Sequence, residues 1–162
     1  MTTLKHYLFV FFVSMVPLLE LRGAIPYAVF FISGGENLSL PLCYLIAIVG
    51  NMIPVPIIFW FARKVLEWGQ DKKYIGKIFT FFLKKGEKGG EKLQAKAGRG
   101  LYFALFLFVG IPLPGTGAWT GALAASILDM DFKKSVIAVV SGVVLAGIIM
   151  GLVSGGLFSI AL

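Results

Sequence analysis

The sequence predicts an all-α integral membrane protein of two inverted repeats, each a re-entrant helical hairpin plus one transmembrane helix. Three observations carry that fold class. Of 162 residues, 58% are hydrophobic and only 14% charged, against about 25% charged in a soluble domain. The apolar residues fall into four blocks, and two of these are broken in mid-run by Pro or Gly beside polar residues. Thirteen of the fifteen Lys and Arg lie between Arg63 and Lys134. So much apolar surface exceeds what one small core can hide, which makes a bilayer the natural solvent.

The first repeat covers residues 1–65. Its opening block runs Tyr7–Leu19, breaks at Glu20-Leu21-Arg22-Gly23, and resumes as Ala24–Ser33. Neither arm reaches the ~20 residues a spanning helix needs, so residues 7–33 read as a re-entrant hairpin. Glycine at the break permits a tight reversal. One kinked full span is the open alternative, because membrane helices tolerate Pro and Gly. Pro41–Ala62 follows as a transmembrane helix over 41–62, interrupted by Asn51, Pro54 and Pro56.

Residues 66–99 form the joining segment, read as basic, amphipathic and interfacial. Ile75, Ile78, Phe79, Phe82 and Leu83 recur at helical spacing among Lys72, Lys73, Lys77, Lys84 and Lys85. That pattern suits a helix lying in the cytoplasmic membrane surface. Gly86, Gly89 and Gly90 then loosen the piece 84–92 into a linker.

The second repeat covers 100–162. Leu101–Leu113 breaks at Pro114-Gly115-Thr116-Gly117 and resumes as Ala118–Leu128, a second hairpin over 101–128. Ser135–Ile160 is an unbroken apolar run, a transmembrane helix over 135–160. Its Gly147, Gly151 and Gly155 recur every four residues and offer a face for close packing, within or between subunits.

The repeats themselves are visible. Phe12–Leu18 can be laid over Leu107–Leu113, and the next span follows at similar spacing, Pro17 to Pro41 and Pro112 to Ser135. A hairpin plus one crossing leaves the chain on the opposite side, so the second unit is inverted. Inverted repeats with discontinuous helices are a transporter architecture, with the site near mid-bilayer where the repeats meet. The loop Gly34–Leu40 holds Glu36 and no Lys or Arg, whereas loops 63–99 and 129–134 hold thirteen. Positive charge favours the cytoplasmic side. Loop 63–99 is therefore expected in the cytoplasm, both termini outside, and the protein in the inner (cytoplasmic) cell membrane.

Several classes are excluded. Cys43 is the sole cysteine and His6 the sole histidine, so no intrachain disulfide, cysteine metal cluster or histidine zinc site is expected. No small-residue cleavage site follows the first apolar run, so a signal peptide does not fit. The basic segment lacks an aromatic-interleaved reading surface for nucleic acid. No nucleophile elbow, phosphate loop or paired membrane carboxylates occur, so neither an enzyme nor a cofactor is expected, and Asp129 and Asp131 read as a solvated cap.

Glu20 and Arg22 are the sharpest signal. A charge at mid-membrane costs at least ~2.5–3.5 kcal/mol, and those retained face water, a partner or a ligand. They either staple the tip to neighbours or serve a ligand. In the second case Arg22 grips a phosphate or carboxylate through its planar fork, beside Gly23. Glu20 takes up a proton and couples transport to a gradient. On the other hairpin, Pro112, Pro114, Gly115, Thr116 and Gly117 leave backbone amides free where Ala118–Leu128 begins. A helix N-terminus attracts anions, and Trp119 and Thr120 add polar groups, unless the break is merely a kink. Asn51 sits at similar depth and completes the candidate substrate site.

Pro17-Leu18-Leu19-Glu20-Leu21-Arg22-Gly23-Ala24-Ile25-Pro26 with Pro112-Leu113-Pro114-Gly115-Thr116-Gly117-Ala118-Trp119-Thr120-Gly121 resembles the bacterial and archaeal small multi-drug export protein family, over essentially the whole chain. That family is distantly similar to the DedA/VTT superfamily of opposed re-entrant hairpins, implicated in moving lipids. The resemblance implies an acidic hairpin position at Glu20 and a broken second hairpin at Pro112, Pro114 and Gly115. Thr116 and Gly117 stand where DedA proteins carry arginines, and Arg22 is the sole membrane-embedded Arg.

The expected function is transport or flipping of an amphiphilic anion, foremost a lipid phosphate such as a polyprenyl phosphate or phospholipid, with proton coupling. The alternatives are proton-coupled export of small, cationic drugs and a structural membrane protein. Expected partners are membrane lipids with anionic headgroups and a second copy in a homodimer; nucleic acid is not expected.

Overall fold

A computed structural model describes residues 2–62 and 100–161, with scattered positions between 64 and 91. Among them every regular element is helical: α1 (Thr2–Met15), α2 (Glu20–Ser33), α3 (Leu40–Met52), α4 (Pro54–Ile57), a π-helical turn (Ile58–Ala62), α5 (Leu101–Gly110), α6 (Ala118–Ile127) and α7 (Phe132–Ala161). Two stretches, Leu40–Phe61 and Phe132–Gly156, are long and apolar enough to cross a membrane. The four others are short. At 1.5 Å per residue, 14-residue α1 and α2 extend about 21 Å, and 10-residue α5 and α6 about 15 Å. A hydrocarbon core is about 30 Å thick, so no short helix crosses it alone.

Those short helices pair as hairpins. α1 folds back along α2, with the Phe9 and Tyr27 rings 4.2 Å apart, His6 and Phe31 4.4 Å apart, and His6 Nδ1 hydrogen-bonded to the Tyr27 hydroxyl at 2.9 Å. α5 and α6 pack through Gly121, where a Cβ would lie 2.6 Å from Val109 Cγ2. The second arm of each hairpin also packs against the long helix of the other half. α2 lies on α7, and α6 lies on α4 and the π turn.

Small residues make these close approaches possible, as expected where helix contact rests on packing rather than water release. Ala24, Ala28, Ala118, Ala124 and Ala125 are wholly buried. A Cβ at Gly142 of α7 would come within 2.8 Å of the Phe106 carbonyl in α5. Gly147 and Gly151 are occupied within the chain. The Tyr44 hydroxyl donates to the Gly147 carbonyl at 3.0 Å, and a Cβ at Gly151 would collide with that hydroxyl. The outside is apolar: Leu152 is 73% exposed and Ile137 66%, as a lipid-facing surface requires.

Proline dictates the irregular middle of the long helix. Pro54 and Pro56 lack amide donors, which interrupts the intrahelical ladder. The chain bends at Ile53 and continues through the π turn, where the Ser126 hydroxyl of α6 donates to the Phe59 carbonyl at 2.6 Å. At the other end, Asp131 caps α7. Its carboxylate accepts from the Lys134 amide at 3.0 Å, so the helix starts at Phe132, before the apolar run begins. Of the expected interfacial helix, Lys72, Lys73, Ile75, Phe79, Phe82 and Leu83 lie outside the described residues. Lys77, Ile78, Lys84 and Lys85 are helical.

Candidate functional site

The tips of the two hairpins meet. Between α1 and α2 the chain turns through Leu18 and Glu20, whose φ angles of 78° and 46° are left-handed. Such angles cost side-chain-bearing residues about 1–3 kcal/mol each and persist only where surrounding contacts hold them. Part of the hold is local: the Glu20 amide donates to the Val16 carbonyl at 3.0 Å. The remainder comes from the other half of the molecule.

That other half supplies exposed backbone. Pro112 and Pro114 carry no amide hydrogen, and Gly115 and Gly117 take φ of 85° and 130°. The chain reverses there, and the first amides of α6 are left without intrahelical acceptors, as at any helix start. Glu20 fills the gap. Its Oε2 accepts from the Ala118 amide and its Oε1 from the Trp119 amide, each at 3.1 Å. A carboxylate at this end also answers the positive pole of the helix. Glu20 is 5% exposed.

Gly117 is fitted to this contact. A Cβ there would overlap the Glu20 carboxylate, coming within 2.8 Å of its Cδ. Its φ of 130° and ψ of −176° belong to a region used almost only by glycine.

Arg22 holds the other side of the same turn. Its guanidinium donates to the Leu113 carbonyl and, at 2.8 Å, to Thr116 Oγ1. The Thr116 hydroxyl has the Leu113 carbonyl at 2.8 Å and the Ile111 carbonyl at 3.0 Å as acceptors for its own hydrogen. Thr116 thus passes the guanidinium's hold on to carbonyls of the turn that follows α5.

Beside these contacts lies a cavity of about 360 Å³. Glu20, Arg22, Pro112, Pro114, Thr116 and Thr120 line it, with Gly115 on its wall. Leu18 and Met150 also line it, and the sequence reading missed both. Leu18 is one apolar residue in an apolar run, and Met150 lies between Gly147 and Gly151 of α7 with no polar mark. Gly23 lies elsewhere: its Cα faces Val13 and Leu19 inside the first hairpin. Asn51, 1% exposed, turns its side chain to the Glu20 carboxylate from α3. The Trp119 backbone holds Glu20, while its indole Nε1 is buried without a hydrogen-bond partner. Among the described residues no group of three His, Cys, Asp or Glu could hold a metal ion.

Residues 20–149 match the family model described as "Putative small multi-drug export protein". The chain belongs to this family. No curated protein matches the chain, and no solved structure does. In this member of the family the matched span opens on Glu20 and takes in the whole of residues 112–120. Both halves of the tip-to-tip contact therefore lie within the family region.

Proposed function

We propose that this small multi-drug export family member is a membrane transporter of an amphiphilic anion, foremost a lipid phosphate, coupled to protons through Glu20. One observation carries the reading. The carboxylate of Glu20 occupies the amides of Ala118 and Trp119, so an anion site is filled by an anion of the chain itself.

Ionised Glu20 holds those amides through charge-assisted bonds, roughly twice as strong as neutral ones. A proton on Glu20 removes the charge and weakens the hold. A substrate phosphate then takes the amides, with Arg22, Thr116 and Thr120 on the same cavity wall. Loss of the proton returns the carboxylate and expels the phosphate. Proton uptake and anion binding go together, and both act at the contact joining the halves.

The membrane arrangement belongs to the same proposal. The two hairpins are re-entrant and enter from opposite faces, and the repeats are inverted. Loop 63–99 is cytoplasmic, both termini are outside, and two copies associate. Short helical arms and the crosswise packing of α2 on α7 and α6 on α4 favour this arrangement.

Mass spectrometry of co-purified lipid is the test. The proposal expects a phosphate-bearing lipid that is retained in Glu20→Gln and lost in Arg22→Gln. Lipid content indifferent to Arg22→Gln would overturn it. The family description favours a second reading, proton-coupled export of small cationic drugs. That reading expects the opposite weighting, with transport lost in Glu20→Gln and preserved in Arg22→Gln.

A further inference from the structure

We infer that Asn51 is the hydrogen-bond partner serving both protonation states of Glu20, turning its side-chain amide end for end as the proton arrives. This rests on proton coupling through Glu20 and assigns it a positioning residue.

Asn51 ends the regular part of α3, one residue before Met52 and ahead of the break that Pro54 enforces. It is 1% exposed and faces the Glu20 carboxylate. Its Oδ1 is buried and accepts no hydrogen bond. A buried acceptor left empty forfeits about 1–3 kcal/mol, and such an atom calls for an explanation.

The chemistry of the amide supplies one. Asn carries two donors on nitrogen and an acceptor oxygen, and its terminal torsion is broad and roughly two-fold. Facing an ionised carboxylate, the Nδ2 group is the useful end and Oδ1 is idle, as found. When Glu20 takes a proton from cavity water, its new O–H needs an acceptor. The backbone amides of Ala118 and Trp119 are donors and cannot provide one. A half-turn of the Asn51 amide presents Oδ1 to that O–H. Leucine, valine or alanine could not answer either state.

Among the groups around Glu20, Asn51 offers a buried acceptor that stands idle. Arg22, on the same helix, is the charged group acting on it. Arg22 and the α6 amides are donors only, Met150 of α7 on the cavity wall is apolar, and of the two hydroxyls on that wall, Thr116 and Thr120, the first already accepts from Arg22. Lys85, whose Cε lies 3.6 Å from the Cβ position of Gly115 on the cavity wall, is likewise a donor.

Infrared difference spectroscopy across a pH titration of the purified protein in lipid nanodiscs tests this. A carboxyl C=O band absent from Glu20→Gln reports Glu20. Asn51→Val and Asn51→Thr are close in volume and differ by a hydroxyl that both donates and accepts. The expected result is a band in Asn51→Val at the frequency of a carboxyl without an acceptor. Its titration midpoint should depart from wild type by about one pH unit, the scale of one lost hydrogen bond, and Asn51→Thr should move both quantities back. Identical spectra for wild type and Asn51→Val would overturn the role of Asn51 while leaving Glu20 as the proton carrier. Equal displacement in Val and Thr would reduce Asn51 to packing and overturn it as well. A wild-type protein with no titrating band sensitive to Glu20→Gln would overturn the coupling itself, and the role of Asn51 with it.

Discussion

Glu20 caps the helix that starts at Ala118, across 98 positions of sequence. Helix caps are ordinarily supplied from the residue just before the helix. Here Gly117 stands at that place and has no side chain to offer, so the acceptor comes from the other hairpin. The cap is therefore also a contact between the two halves.

Removing the charge of Glu20 should loosen the molecule more than an ordinary cap would. Glu20→Gln keeps one acceptor oxygen for two amides, and Glu20→Ala keeps none. Caps are worth about 0.5–2 kcal/mol, and a buried unsatisfied donor costs about 1–3 kcal/mol. Unfolding in detergent should rank wild type above Gln and Gln above Ala. An unchanged midpoint in Glu20→Ala would show that the cap contributes nothing.

Gly117→Ala should displace the Glu20 carboxylate and impose a backbone strain of about 1–3 kcal/mol. The two effects separate in a double-mutant cycle. Against Glu20→Ala the collision is gone and only the strain is left, so the cost of Gly117→Ala should fall. Equal costs in both backgrounds would deny that Gly117 accommodates Glu20.

These two residues also mark how far the sequence could be read. Apolar run lengths and the breaks at Glu20–Gly23 and Pro112–Gly117 are local, and they pointed to all-helical architecture with two long apolar helices. Which donors Glu20 would meet was not local. Nothing near Glu20 names Ala118, because a backbone amide has no sequence signature. In the sequence the α6 amides are open either to an anion or to a kink without ligand; that Glu20 is the anion they meet shows only in the fold. Arg22 reads in the sequence as either stapling the tip to neighbours or serving a ligand; that Leu113 and Thr116 are the neighbours it meets is visible only once the tips meet. The glycine stripe of α7 was legible as a packing face, but Tyr44 as its occupant was not, since 103 positions separate Tyr44 from Gly147.

Arg22→Lys should fail to replace Arg22. The guanidinium spans the Leu113 carbonyl and Thr116 Oγ1 with two nitrogens in a fixed plane, which an ammonium does not reproduce. Thr116→Val removes one of those partners and should cost about 1–2 kcal/mol. Combined with Arg22→Lys it should add little, because both act on one contact. Full additivity in thermal unfolding would contradict the shared contact.

Gly151→Ala should be destabilising through its collision with the Tyr44 hydroxyl. Tyr44→Phe, which deletes that hydroxyl at the expense of its bond to Gly147, should recover part of the loss. A Gly151→Ala protein as stable as wild type would place Tyr44 elsewhere.

The most direct test of proton–anion exchange at Glu20 is the pH dependence of phosphatidylglycerol binding, since its phosphodiester keeps a single charge throughout. If a phosphate takes the amides only when Glu20 carries a proton, affinity should rise as pH falls, by up to about tenfold per pH unit for one linked proton. In Glu20→Gln binding should stay tight at every pH. Wild-type affinity that ignores pH, or pH dependence that survives Glu20→Gln, would contradict the account.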